Sequence, residues 1–213
     1  MAILAHPDDE SLGFGGALAK YASEGIETFL ITATRGERGR FGDAAEPPGL
    51  EIVGKTRTRE VLAAARILQI KEVHFLNYID GDLDKAPPQE ATGKIAMLIR
   101  RIKPHVVLTF DPFGSYGHPD HIAISQFAMA AVVAAGTNSG ATGEPPWQVS
   151  KFYYIAWPPE VVSAYEAAFK QLVFKVDEKL RMANPWPDWS ITTKIDTSEY
   201  WEQVWAAVNC HQT

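Results

Sequence analysis

Short apolar runs alternate with helical periods along most of this chain, and that alternation restricts the fold more than any other feature. Ala2–Ala5, Thr28–Thr32, Val73–Leu76, His105–Phe110 and Lys151–Trp157 each have the length and the apolar character of a strand. Between them, Val61, Ala65 and Leu68, and then Ile95, Leu98, Ile99 and Ile102, recur at the spacing of one helix face. Tyr200, Trp201, Val204, Trp205 and Val208 predict a last buried helical face. Continuous apolar strands interleaved with helices predict a mainly parallel sheet covered on both sides, the doubly wound, Rossmann-like α/β fold. Ligands of such sheets bind beyond the carboxyl ends of the strands, so functional residues should follow strands rather than precede them.

Composition narrows the field further. A length of 213 residues, 46% of them hydrophobic and 22% charged, fits one globular domain. The net charge of −6 argues against a nucleic-acid partner, which calls for a basic surface. A single cysteine, Cys210, allows neither an internal disulfide nor a cysteine-rich metal site. The most apolar stretch, Phe127–Ala135, falls short of the roughly 20 residues of a spanning helix. The opening MAILAHPDDE has no room for a signal peptide, which gives the expectation of a cytoplasmic protein. Thr34–Gly49 and Gly136–Pro146 are long Gly- and Pro-rich segments of the kind that form functional rims or solvated insertions.

Two short acidic motifs stand just after expected strands. The first is Ala5-His6-Pro7-Asp8-Asp9-Glu10, and the second is Gly117-His118-Pro119-Asp120-His121. His6 and Asp9 are three residues apart, so one turn brings them to a common side while Asp8 points elsewhere. His118 and His121 repeat that spacing, with Pro119 suited to the first turn of a helix. One of these histidines can complete a metal site and the other can face the reaction. Two histidines and one aspartate, with positions left open for water or substrate, suit a borderline ion such as Zn²⁺. Each motif alone is weak evidence; two of them in one α/β sheet make coincidence a poor explanation.

These residues resemble the LmbE-like, or PIG-L-like, superfamily of zinc-dependent N-deacetylases, whose signatures are AHPDDE and HPDH. Thr34-Arg35-Gly36-Glu37, Thr58-Arg59-Glu60, Tyr78-Ile79-Asp80-Gly81 and Cys210-His211-Gln212-Thr213 are similar to its further motifs. The resemblance implies metal ligands His6, Asp9 and His121, with Asp8 as general base and His118 as second catalytic group. Arg35, Arg38, Arg40, Lys55, Arg57 and Arg59 concentrate in one basic stretch whose forked donors suit hydroxyls, carboxylates or phosphates, which makes Arg35 a substrate-contact candidate. The resemblance implies substrate contacts at Arg59 and Asp80, and places Tyr116 where some members carry a mobile tyrosine. It also implies a single catalytic domain over residues 1–213, incomplete at its C-terminus, with an N-acyl amino sugar as small-molecule partner and a homo-oligomer as one assembly state. The metal implied is Zn²⁺, with Fe²⁺ as the alternative because these ligand types do not decide between them.

The chemistry of the residues agrees with those roles. A carboxylate beside the metal and off it, Asp8, suits proton transfer from water to a leaving amine. A protonated His118, oriented by Asp120, would face the oxyanion, and Tyr116 would add a hydroxyl donor. Rival readings are an amidase of thiol conjugates, an iron(II) oxygenase built on the same triad, and a sugar-binding protein that no longer reacts. The oxygenase leaves Asp8 without a task. Gly13-Phe14-Gly15-Gly16 lacks full dinucleotide-loop spacing and is expected to permit close helix packing. His74 and His105 are expected in the core or at a sheet edge, and Trp157, Trp186 and Trp189 in packing rather than sugar contact.

Overall fold

The computed structural model describes residues 1–42, 44, 46–137, 144–169, 173–176, 178–183 and 185–213. Most of Gly136–Pro146, from 138 to 143, and positions 43 and 45 of the first long segment lie outside the described residues. Five parallel strands form the central sheet: β1 (Ala2–Leu4), β2 (Phe29–Thr34), β3 (Glu72–Tyr78), β4 (Val106–Thr109) and β5 (Lys151–Tyr154). All five coincide with the expected apolar runs. Their order is β3-β2-β1-β4-β5. The chain therefore winds outward from β1 in one direction, returns across the sheet, and winds outward from β4 in the other. The crevice between the ends of β1 and β4 is the switch point of the sheet.

The central strand is the most deeply buried. Ala2, Ile3, Leu4 and Ala5 are fully buried, as are Leu30 and Ile31 beside them on β2. A strand with both faces covered has no polar side to show, which is why β1 reads as a run and not as an alternation. Helix contacts fall into two groups. α1 (Asp9–Leu12), α2 (Gly15–Ser23) and α3 (Leu50–Ile67) all meet α8 (Trp201–Val208), while α4 (Pro88–Ile102) packs on α6 (Pro119–Gly136). Ile95 and Ile99 of α4 and Ile124 of α6 are fully buried in the second group, and Val61 and Leu68 in the first.

Gly15 and Gly16 serve packing, as expected. A Cβ on Gly16 would lie 2.5 Å from the Thr197 hydroxyl, and one on Gly15 would lie 3.2 Å from Val204 Cγ1. Only a bare backbone lets α2 approach the C-terminal segment so closely. The face expected of α8 needs correction: Trp201 and Trp205 are 63% and 61% exposed. The helix instead turns Ala207 inward, with Val204 half-buried beside it. Bulk hydrophobicity misidentified the buried stripe there. His74 sits on edge strand β3 and His105 packs its ring on Trp147 at the start of β4. Trp157 packs with Tyr116 around Val162 and Ala183, whereas Trp189 is exposed.

Outside the sheet, α5 (Gly114–Gly117) is a single irregular turn before α6, and α7 (Pro159–Phe169) follows β5. An antiparallel pair, β6 (Val173–Val176) and β7 (Lys179–Met182), was not legible in the sequence pattern. The end of α6 is sealed from α4. Arg100, 3% exposed, donates from Nε to the Ala135 carbonyl at 3.2 Å and from Nη2 to those of Ala134 and Thr137 at 3.0 and 2.8 Å. A cation on the last carbonyls of a helix satisfies orphan acceptors and complements the helix dipole. Arg100→Ala is expected to lower unfolding stability by on the order of 3 kcal/mol, measured by urea denaturation; an unchanged midpoint would show that the cap contributes nothing.

Candidate metal centre

Both acidic motifs emerge at the switch point, one after β1 and one after β4. Asp9 opens α1, and its Oδ2 accepts the backbone N–H groups of His6 and Ala5 at 2.8 and 3.2 Å. That local turn folds the carboxylate back toward the His6 ring. Pro119 occupies the first turn of α6, so His121 projects from the same turn into the crevice. Its ring stacks on Phe110 at 3.9 Å between centroids, with planes 5° apart.

Donor atoms of three residues converge there, with Asp9 turning one oxygen to each histidine. His6 Nδ1 lies 3.2 Å from His121 Nε2 and 3.7 Å from Asp9 Oδ2, and His121 Nε2 lies 3.4 Å from Asp9 Oδ1. Metal–ligand bonds of roughly 2.0–2.1 Å in a tetrahedron separate neighbouring donors by about 3.3 Å. The spacing of His6, Asp9 and His121 therefore fits a divalent ion. The charge also fits. Burial alone would lower the pKa of His6, yet the carboxylates of Asp120, Asp80 and Asp9 hold it well above its ordinary value. Burial would raise Asp9, yet His121 and His6 pull it below the usual carboxylate range. The pocket is arranged for positive charge. Two triples keep one donor atom from each residue within 4.8 Å of the others: His6, His118 and His121, and His6, Asp80 and Asp120.

The far side of the His6 ring is held by carboxylates. Nε2 lies 3.0 Å from Asp120 Oδ2 and 3.1 Å from Asp80 Oδ1. In a neutral His6 ring these contacts would keep the proton on Nε2 and turn the Nδ1 lone pair to the crevice, the arrangement that orients a metal-binding imidazole. Two expected roles change as a result. Asp120, fully buried, does not orient His118 with its carboxylate; it accepts the N–H groups of Gly81 and Leu83 at 2.7 and 3.1 Å as well as contacting His6. Asp80, expected to contact substrate, is buried with Oδ1 turned to His6. Its second oxygen accepts the Arg38 N–H at 3.1 Å, so both oxygens are engaged inside the protein.

His118 caps α6 by accepting the backbone N–H of Asp120 on Nδ1 at 3.1 Å. The neutral ring then carries its proton on Nε2. Burial, followed by the charges of His6 and His121, pushes its pKa down to about 4. The expected protonated His118 is thus replaced by a neutral N–H donor. Tyr116 lies beside it, with ring centroids 6.0 Å from His118 and 5.3 Å from His121. Burial and the surrounding aspartates keep its hydroxyl protonated, with a raised pKa.

Asp8 stands apart from the converging donors. Its backbone is at φ 99 and ψ −30, a conformation that costs a non-glycine residue on the order of 1–3 kcal/mol and persists only when its surroundings enforce it. Oδ2 accepts a hydrogen bond from Arg57 Nη2 at 2.8 Å. Burial and then the charge of Asp9 push its pKa up to about 7, against the pull of Arg57 and His6. The side chain keeps 34% exposure, so solvent reaches the carboxylate.

Arg57 is the residue that the sequence reading missed as an individual, treating it as one cation of a basic stretch. It is 6% exposed and donates to the carbonyls of Pro7 and Gly36 as well as to Asp8. Cβ atoms on Gly36 or Gly39 would collide with its guanidinium, so the spacing of those glycines was the available signal. Arg59, two residues on, is exposed and lines a cavity of about 610 Å³ with Arg35, Glu37, Lys55 and Ile79. Its walls include none of the site histidines or aspartates; one wall residue, Glu37, accepts the Asp80 N–H on Oε2 at 3.2 Å. Arg35 reaches Thr58 and Asn77 at 2.9 Å each and lies over the Phe75 ring.

Residues 1–132 match the model of the family described as PIG-L, GlcNAc-PI de-N-acetylase. A protein of Nocardiopsis dassonvillei named 1D-myo-inositol 2-acetamido-2-deoxy-alpha-D-glucopyranoside deacetylase is 33% identical over 236 residues, covering 100% of this chain and 83% of its own. One of the same name from Kineococcus radiotolerans is 37% identical over 190 residues, which cover 74% of this chain and 52% of the relative, so that match spans about half of the longer protein. Among solved structures, a conserved protein from Thermus thermophilus superposes with a TM-score of 0.68 at 28% identity, covering 98% of this chain and 76% of that one. With more than half of its length matched by the family model, and a relative of one-third identity aligned from end to end, the chain belongs to the PIG-L family of de-N-acetylases.

Proposed function

We propose that this chain is a zinc-dependent hydrolase that removes the acetyl group from an N-acetylglucosamine-type amino sugar conjugate. The observation that carries the reading is the division of labour between adjacent aspartates. Asp9 converges with His6 and His121, while Asp8 stays outside that triad with a carboxylate poised near neutrality. His6, Asp9 and His121 would hold a divalent ion, whose chemistry when bound would be to polarise the amide carbonyl and acidify water.

The remaining steps belong to the chain's own groups. Asp8 accepts a proton from the attacking water and passes it to the amide nitrogen as the C–N bond breaks, so the products are acetate and the free amino sugar. Arg57 fixes the Asp8 carboxylate from inside the protein. His118 donates Nε2–H to the carbonyl oxygen as negative charge develops there, and the Tyr116 hydroxyl is a second donor. A neutral donor suits this task because it adds no further cation to a crowded site.

The substrate class is supported by the names of the relatives. The cavity of about 610 Å³ has the size of a sugar conjugate's remainder, with Arg35, Lys55 and Arg59 as donors and Glu37 and Glu51 as acceptors. Two ring nitrogens and one carboxylate suit zinc, and metal analysis of the purified protein decides between zinc and iron. No helix among the described residues is long and apolar enough to cross a membrane.

Acetate release from a panel of N-acetylglucosamine conjugates is the direct test, and a metal-replete chain inert on every member contradicts the reading. Asp8→Asn is expected to retain stoichiometric metal and to lose about 10²–10⁴-fold in kcat. Loss of the metal in that variant would show that Asp8 is a ligand. Chelation should abolish turnover and added Zn²⁺ should restore it; full activity after verified metal removal overturns the metal role.

A further inference from the structure

The motif Cys210-His211-Gln212-Thr213 takes no part in the chemistry above, yet its histidine forms a buried contact directly behind the candidate base. His211 Nε2 lies 2.8 Å from Glu10 Oε1, and their side chains are 7% and 0% exposed. Glu10 is the last residue of the first metal motif and does not face the crevice. Its Oε2 accepts the backbone N–H of Asp8 at 3.0 Å, and its Oε1 accepts the Ser11 hydroxyl at 2.6 Å. Glu10 is therefore the acceptor for the amide of a residue held at positive φ.

The tail is anchored a second time, independently of Glu10. Gln212 donates its backbone N–H, and Thr213 its hydroxyl, to the two oxygens of Glu60 at 3.1 and 2.6 Å. Glu60 lies one turn of α3 beyond Arg57, which holds the Asp8 side chain. The C-terminal segment thus braces both elements that grip Asp8: Glu10 on its backbone and α3 behind its carboxylate. A strained backbone needs such over-determination to persist.

We propose that His211 is a positioning residue for the hydrolysis, acting through Glu10 to hold Asp8 in the conformation that points its carboxylate into the crevice. The inference rests on the deacetylase reading and deepens it. His211 touches none of His6, Asp9 and His121 in any contact described, so its effect should fall on the chemical step and not on metal retention. Neither ring nitrogen of His211 faces substrate: Nε2 is spent on Glu10, and Nδ1 is buried with no partner among the described residues.

The test is steady-state kinetics on the full chain with metal content and amide exchange measured alongside. His211→Ala is expected to lower kcat by about 10–100-fold, the scale of a small misplacement of a catalytic group, with KM and bound zinc unchanged and with faster hydrogen exchange at the Asp8 amide. His211→Gln, whose side-chain N–H can still reach Glu10, should recover most of the loss. Thr213→Val, which loosens only the second anchor at Glu60, should lower kcat less than His211→Ala does, and an equal or larger loss would place the effect on the tail as a whole and not on His211. If Glu10→Gln and His211→Ala act through one path, the double variant is no slower than Glu10→Gln alone. Should His211→Ala fail to fold, His211→Gln and Glu10→Gln decide the matter by the same kcat-against-KM split. Unchanged kcat in folded His211→Ala, or a loss that tracks lost zinc, overturns the inference while leaving the deacetylase reading intact. A wild-type chain that releases no acetate overturns both.

Discussion

The Asp120 carboxylate is the joint on which the site depends. It is fully buried, and a carboxylate in such a place must be surrounded by hydrogen-bond partners or it destabilises the fold. Here it receives the N–H groups of Gly81 and Leu83 from the segment after β3, and it faces His6 at the end of β1 while standing on the first turn of α6. Three segments far apart in the sequence are thereby tied to one side chain. The His6 ring can turn its other nitrogen toward His121 and Asp9 because Asp120 and Asp80 fix the far edge. The candidate metal centre is a consequence of this arrangement as much as of the two short motifs.

The same crowding of carboxylates explains why neighbouring groups differ in protonation. Asp8 and Asp9 are adjacent in the chain, yet burial and mutual repulsion raise one while the histidines lower the other. His6 and His118 diverge in the same way, one embedded among aspartates and one facing other imidazoles. Pairs of like groups pushed apart are the means by which a site assigns acid, base and ligand roles. The fold supplies the rest by geometry: a switch point where two strand ends leave a crevice, and a glycine-bearing loop that admits the Arg57 guanidinium.

How much of this was legible in the sequence depended on the range of the interaction. Strand length and helical period located all five sheet strands and the buried faces of α3 and α4, because those patterns report burial of a residue's own side chain. The i, i+3 spacings brought His6 to Asp9 and placed His118 and His121 on one turn, again by local geometry. What failed was partner choice across the fold. Asp120 was paired with its sequence neighbour His118 but contacts His6, 114 positions away. Asp80 was assigned to substrate but is engaged by His6 and Arg38. Arg57 and Arg59 are indistinguishable by composition, and only their opposite sides on α3 separate the buried one from the exposed one. The exposed Trp201 and Trp205 show the converse limit, since apolar character does not tell which stripe of a helix the core receives.

The central claim is that the ion sits among His6, Asp9 and His121, with Asp8 free of it. Anomalous diffraction from zinc-loaded crystals, collected on both sides of the zinc edge, addresses this without reference to turnover. The account predicts a single peak bonded to a ring nitrogen of His6, a carboxylate oxygen of Asp9 and a ring nitrogen of His121, with both Asp8 oxygens beyond bonding distance. A peak on the opposite edge of the His6 ring between Asp80 and Asp120, or one ligated by Asp8, would contradict it.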